Sequence, residues 1–169
     1  MGALRYAVEG KFSESARVAT PLFRDAVGTQ DSSGKLAIAL FTYAEARLGR
    51  TIAKEVWSTA RAAAASPSTE PRYWILYADL LAGDRRSALK GAEEALADAK
   101  VIGSPEMEWR IAAVGAAAAR GLEDAARSKA LSQRVDRARA RLRAQWKDGV
   151  QQYENRADLV DLARRSGLE

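Results

Sequence analysis

The chain has 169 residues, 47% of them hydrophobic and 29% charged, which is enough for a real core and argues against disorder over most of its length. It contains no Cys and no His, which removes disulfides, thiolate nucleophiles, Cys/His zinc sites and His-based acid–base chemistry together. The formal net charge is +5, but Arg127 to Lys147 alone holds eight basic residues and one acid, so the rest of the chain is at −2 and the basicity is local.

The N-terminal stretch MGALRYAVEG lacks an apolar core of signal-peptide length. No segment approaches the roughly 20 uncharged apolar residues needed to span a bilayer. A cytoplasmic location without membrane contact is the expectation.

Apolar residues recur at helical spacing almost throughout, without a convincing period-two run, so the fold class is all-α. In chain order, ALRYAVE reads as a short first helix. Gly10 follows, and then a second helix that Pro21 is expected to kink or end. The segment GTQDSSGKL holds Gly28, Gly34 and Lys35 but is not a phosphate-binding loop, because five residues separate its glycines and Leu36 stands where Ser or Thr is required. It reads as a polar loop with Asp31 or Ser32 capping the next helix. LAIALFTYAEARLG puts Leu36, Leu40, Tyr43, Ala44, Arg47 and Leu48 on one stripe, and WILYADLLAGD does the same with Trp74, Tyr77, Ala78 and Leu81. Ser66 to Pro71 and Gly103 to Pro105 are longer breaks, the second with Ser104 as N-cap and Pro105 at the first helical position. In the basic segment, Leu131, Val135, Ala138, Leu142 and Trp146 draw one apolar seam expected to pack on the preceding helix pair and then on the tail.

Glycines at positions 10, 49, 83 and 121 recur at intervals of 39, 34 and 38 residues, each close to two short helices and their turns. RYWILYADLLAGDRRSALKGAEEAL has Gly83 followed by Ala88, Ala92 and Ala95, and EWRIAAVGAAAARGLEDAARSKAL has Gly121 followed by Ala126 and Ala130. In this pattern the chain resembles tetratricopeptide repeats, which place a small residue at the turn and an Ala about five positions later where the helices cross. The Gly49 and Gly10 units fit less well, since Lys54 occupies the crossing position of the former and the first helix of the latter is short. The resemblance implies a right-handed superhelix of antiparallel helix pairs, with repeats over residues 1–147, the first one truncated, and a helical cap or tail over 148–169. The tail loosely resembles segments that follow such repeats in large bacterial multidomain signalling proteins, the matching positions being Trp146, Tyr153, Arg156 and Asp158. The short first helix reads as a repeat cut open, so the chain is expected to be the C-terminal part of a longer protein.

First helices of such repeats line the concave groove, which makes Tyr43, Arg47, Tyr73, Tyr77 and Arg110 the expected exposed contacts for a protein or peptide partner, or for other domains of a parent chain. Tyr43 and Tyr77 also lie on apolar stripes, where a core role competes. Trp74, Trp109 and Trp146 are spaced by 35 and 37 residues, which reads as equivalent core positions in successive repeats. Glu93–Glu94 and Glu106/Glu108 are carboxylate pairs that helical geometry points apart. No constellation of catalytic groups, metal ligands or cofactor-binding residues is legible. The expected function is a protein-interaction, scaffold or regulatory module without catalysis. The alternative is a nucleic-acid-binding helix using Arg134, Arg137 and Arg141, against which stands the lack of a recognisable module around it. A homodimer through the Leu131–Trp146 seam or the N-terminal end is a further alternative.

Overall fold

A computed structural model describes residues 2–26, 31–65, 68–147 and 149–168. The described residues form helices without a strand. Gly28 and Ser66, parts of expected chain breaks, and Asp148, the first residue of the expected tail, lie outside them. No helix among the described residues is long and apolar enough to cross a membrane. The chain divides into two compact units, Met1–Gly83 and Asp84–Glu169.

The first unit contains α1 (Gly2–Val8), α2 (Phe12–Ala26), α3 (Ser32–Arg47), α4 (Lys54–Ala64) and α5 (Thr69–Leu81). Packing passes from each helix to the next, and α3 also touches α1 and α5. Asp31 caps α3 by accepting from the Gly34 N–H at 2.6 Å, which occupies the carboxylate in helix initiation. Because α3 lies against both α2 and α5, its aromatic stripe is covered. Tyr43 stands 4.7 Å from Trp74, 5.2 Å from Tyr77 and 6.0 Å from Phe12, measured between ring centroids. The helix α2 runs through Pro21 instead of ending there. Position 21 is on the exposed side, so the carbonyl that loses its intrahelical donor faces water.

The second unit contains α6 (Arg85–Leu96), α7 (Ala99–Ile102), α8 (Pro105–Gly121), α9 (Ala125–Trp146), α10 (Gly149–Glu154) and α11 (Ala157–Ser166). The helix α8 is its centre, packed against α6, α7, α9 and α11, and 14 of its 17 residues are buried. Ser104 caps it with Pro105 in the first turn, as that dipeptide predicts. Small side chains permit this enclosure. A methyl group on Gly115 would lie 3.1 Å from both Ala92 of α6 and Leu131 of α9.

Gly10, Gly49 and Gly83 have φ of 77°, 67° and 87°, the left-handed conformation that a helix-ending turn requires. Gly121 does not: it is the last residue of α8, and the left-handed residue of that turn is Glu123, with φ 60°. Gly121 is small for a different reason, because a Cβ there would collide with the Arg85 side chain, whose guanidinium donates to the Gly121 carbonyl at 3.1 Å. This moves the turn on by two residues, which rotates the following helix by about 200° at 100° per residue. Ala126 and Ala130, expected at the helix crossing, are therefore exposed.

Counted from the left-handed residue, three of the turns share one spacing. Ser15, Ala88 and Ser128 lie five positions after Gly10, Gly83 and Glu123. Ser15 and Ala88 are fully buried. Ser15 Oγ donates to the Ala3 carbonyl at 2.9 Å and Ser128 Oγ to the Ala116 carbonyl at 3.5 Å, in both cases twelve residues back. The α3–α4 connection departs from this pattern, since α4 begins five residues after Gly49, whereas α2, α6 and α9 begin two residues after Gly10, Gly83 and Glu123.

Candidate functional site

Four of the five expected partner contacts are buried, and the fifth is half-buried. Tyr43, Tyr73 and Tyr77 are 0% accessible and Arg110 is 1%. The tyrosines belong to the aromatic core where α3 meets α5, and Arg110 is covered by helices that pack on both sides of α8. Arg47 is half-buried, with its guanidinium 4.8 Å from the Phe12 ring centroid, a cation–π contact that fastens α2 to α3. The tryptophan reading also needs correction at one position. Trp74 and Trp109 are buried in α5 and α8, whereas Trp146 ends α9 and is 42% exposed. The α9 seam is buried from Leu131 through Leu142 and emerges at Trp146.

The basic helix is answered from within its own unit. Arg134 Nε lies 2.7 Å from Glu108 Oε1 and its other nitrogen donates to the Leu96 carbonyl at 2.8 Å. Arg141, seven residues on and so on the same face, bonds the second oxygen of Glu108. Arg139 and Arg143 both reach Glu154 of α10, at 2.9 and 3.0 Å. Burial alone would raise the Glu154 carboxyl, but the hydrogen bonds from these two arginines outweigh it and hold the group below the ordinary carboxylate value. Arg127 pairs with Glu93 and Asp124. Of the three arginines expected to form a basic surface, Arg137 stands exposed on the outer face, whereas Arg134 and Arg141 are committed to Glu108.

The paired carboxylates diverge as helical geometry requires. Glu93 goes to Arg127 and Glu94 to Lys90, while Glu106 goes to Arg110 and Glu108 to Arg134 and Arg141. No group of three carboxylates fit to hold a metal ion occurs among the described residues.

The tail residues singled out by resemblance converge around α8. Trp146 and Tyr153 meet edge to face at 5.1 Å, and Tyr153 meets Trp109 in the same way at 6.4 Å. Arg156 lies over the Tyr153 ring at 5.1 Å and grips Asp158 with two hydrogen bonds of 3.1 and 3.0 Å. Asp158 is wholly buried. Burial raises its carboxyl above the ordinary value, against the opposing charges of Arg156 and Arg110. Burial likewise pushes the Tyr153 hydroxyl well above the usual phenol range, with Arg110 opposing. At the other end of α11, Arg120 donates to the Ser166 carbonyl at 2.7 Å. Arg120 also leaves no room for a Cβ on Gly167, whose φ of 65° ends the helix in the left-handed conformation.

Two of the open spaces among the described residues lie in the first unit. One, about 490 Å³, is lined mainly by apolar side chains, Ala3 and Leu4 of α1, Leu22 of α2, and Leu36 and Leu40 of α3, together with Asp25 and Asp31. Leu22 is 43% exposed there, a large aliphatic side chain left to solvent beside a concavity. The other, about 410 Å³, is lined by Arg50, Ile52, Trp57 and Leu81. Trp57 is half-buried under Arg61, which also pairs with Asp79 at 3.4 Å.

The chain matches no family model, no curated protein and no solved structure.

Proposed function

We propose that the chain is a tetratricopeptide-like helical-repeat module that binds a protein or peptide partner, or another domain of a parent protein, through its surface and without catalysis of its own. One observation carries the reading: at Gly10, Gly83 and Glu123 the left-handed turn residue is followed five positions later by a small side chain, and serine bonds reach twelve residues back in both units. Repeated helix pairs with a fixed turn stack into extended surfaces, and such surfaces serve recognition. The right-handed superhelix and the link to bacterial signalling belong to this proposal on the strength of the resemblance, and the cytoplasmic setting on the reading of the sequence. The groove beside Leu22 is the surface best suited to an apolar side chain of a partner, with Asp25 favouring a neighbouring Lys or Arg. A nucleic-acid role has less support, because five of the eight basic residues of the Arg127–Lys147 stretch are engaged by carboxylates.

The test is selection of binding peptides from a displayed random library on the full chain, followed by titration against Leu22→Glu. Leu22 is exposed, so the substitution leaves folding intact. It is expected to weaken selected ligands at least about tenfold by placing a charge against their apolar anchor. Failure to select any ligand, or affinities untouched by Leu22→Glu and Leu36→Glu, overturns the reading.

A further inference from the structure

The helix α11 rests on α8 in the manner of a bound ligand. Its inner side consists of Asp158, Leu159, Leu162 and Ser166, all buried, while Val160 points to solvent and Asp161 pairs with Arg165 in an exposed turn. Beneath it α8 offers a cation near each end. Arg110 lies within electrostatic reach of Asp158 in the first turn of α11, and Arg120 binds the Ser166 carbonyl in its last. The two arginines are ten residues apart on α8, about 15 Å at 1.5 Å per residue, which is also the length of the ten-residue α11. The two helices therefore run in the same direction. A carboxylate at the start and a cation at the final carbonyls are the placements that a helix dipole favours. Between the arginines the buried α8 residues are mostly alanine, which leaves a shallow floor for the two leucines.

This hold is light. The helix α6 buries Leu89, Leu96 and three alanines, and α9 buries a seam of four residues, whereas α11 has only Leu159 and Leu162 as apolar anchors. Segments with few buried apolar contacts are those that open locally while the rest of a domain stays folded. Arg156, at the boundary between α10 and α11, is in an extended conformation that separates the two helices.

We infer that the α8 face between Arg110 and Arg120 is a helix-binding site, occupied by the chain's own tail and opened to an amphipathic helix of the same chemistry from a protein partner. The partner helix carries a carboxylate in its first turn, leucines three residues apart on its inner side, and a small residue with free carbonyls at its end. The inference deepens the interaction-module reading and rests on it, adding a second binding face and a resident competitor for it.

The experiment uses the full chain and a fluorescent peptide with the sequence of residues 155–168. Hydrogen exchange is expected to show α11 amides opening more than about tenfold faster than those of α8 and α9. Leu162→Ala removes a tail anchor, and Gly167→Ala sets a Cβ against Arg120 without altering α8; both are expected to raise peptide affinity by about tenfold or more. A peptide with Leu159→Ala and Leu162→Ala, or with Asp158→Lys, is expected not to bind. Exchange of α11 as slow as that of α8, or no peptide binding to either chain variant, overturns the inference. If Leu162→Ala disrupts the fold, Gly167→Ala alone decides. Retention of ligands at the Leu22 groove without tail-peptide binding removes this inference only, and the converse result removes only the groove.

Discussion

Glu108 holds two arginines of α9 on α8, and the relative worth of those two contacts follows from their exposure. Its carboxylate is almost fully enclosed, Arg134 is about three-quarters buried, and Arg141 is about half exposed. Exposed ion pairs contribute about 0–1 kcal/mol, while breaking a buried pair costs about 3–5 kcal/mol because it strands a charge. The Arg134 pair lies between these limits, since its guanidinium keeps the Leu96 carbonyl and some solvent. Glu108→Gln is therefore expected to destabilise the α8–α9 region by about 1–3 kcal/mol. In double-mutant cycles the Glu108–Arg134 coupling is expected at about 1–2 kcal/mol and the Glu108–Arg141 coupling below about 1 kcal/mol. Hydrogen exchange of α8 and α9 amides under conditions that report opening free energy measures both within the second unit. Salt sharpens the contrast, because screening at about 1 M acts over roughly 3 Å and diminishes the half-exposed Arg141 pair first. A coupling with Arg134 below about 0.3 kcal/mol, or a larger one with Arg141, refutes the assignment of these arginines to structure.

Gly49→Ala and Gly83→Ala face open space but force a left-handed residue, and each is expected to cost about 1–2 kcal/mol, read as a lowered Tm. Gly121→Ala acts through Arg85 instead, and its cost is expected to fall when combined with Arg85→Ala. Tail closure is expected to depend on pH through Asp158. Its folded pKa is raised, so the closed state holds the proton more tightly; the contribution is full below the ordinary carboxylate pKa and is lost as pH rises through the raised value. Exchange of α11, corrected for its intrinsic rate, is expected to slow relative to α6 on acidification from neutral pH, and Asp158→Asn removes the trend. Glu154 has the opposite sign, since its lowered pKa gives stability that is lost as pH falls through it. Acrylamide quenching of Trp fluorescence is expected to fall in Trp146→Phe, because Trp146 is exposed while Trp57 is half-buried and Trp74 and Trp109 are enclosed; unchanged quenching contradicts the exposure of Trp146.

Helix starts at Asp31 and Ser104, the left-handed glycines and the buried part of the α9 seam were legible because each depends on neighbours within a turn or two. The coverage of Tyr43 and Arg110 was not. Periodicity identifies an apolar face but does not tell whether a second element closes the other side, and α11, some 50 residues along the chain from Arg110, does so on α8. Trp146 misled because its spacing matched the glycine interval while it lies at the exposed end of α9. Gly121 misled because a glycine in sequence does not reveal whether its missing Cβ frees φ or makes room for a neighbour. The arginine pairs carried a readable signal: Arg134 and Arg141 are seven residues apart, and Arg139 and Arg143 four, so each pair shares a helix face and suits one carboxylate.

The serine bonds at Ser15 and Ser128 turn two of these helix pairs into length gauges. Inserting or deleting one residue between donor and acceptor would swing the hydroxyl about 100° away from its carbonyl and carry the second helix's apolar side out of contact. The separation between those two points is therefore the conserved quantity of the pair, whatever residues fill its turn. The α3–α4 pair, with three further residues between left-handed glycine and second helix, has spent that constraint already, and it is the place in the first unit where added loop length is expected to be absorbed.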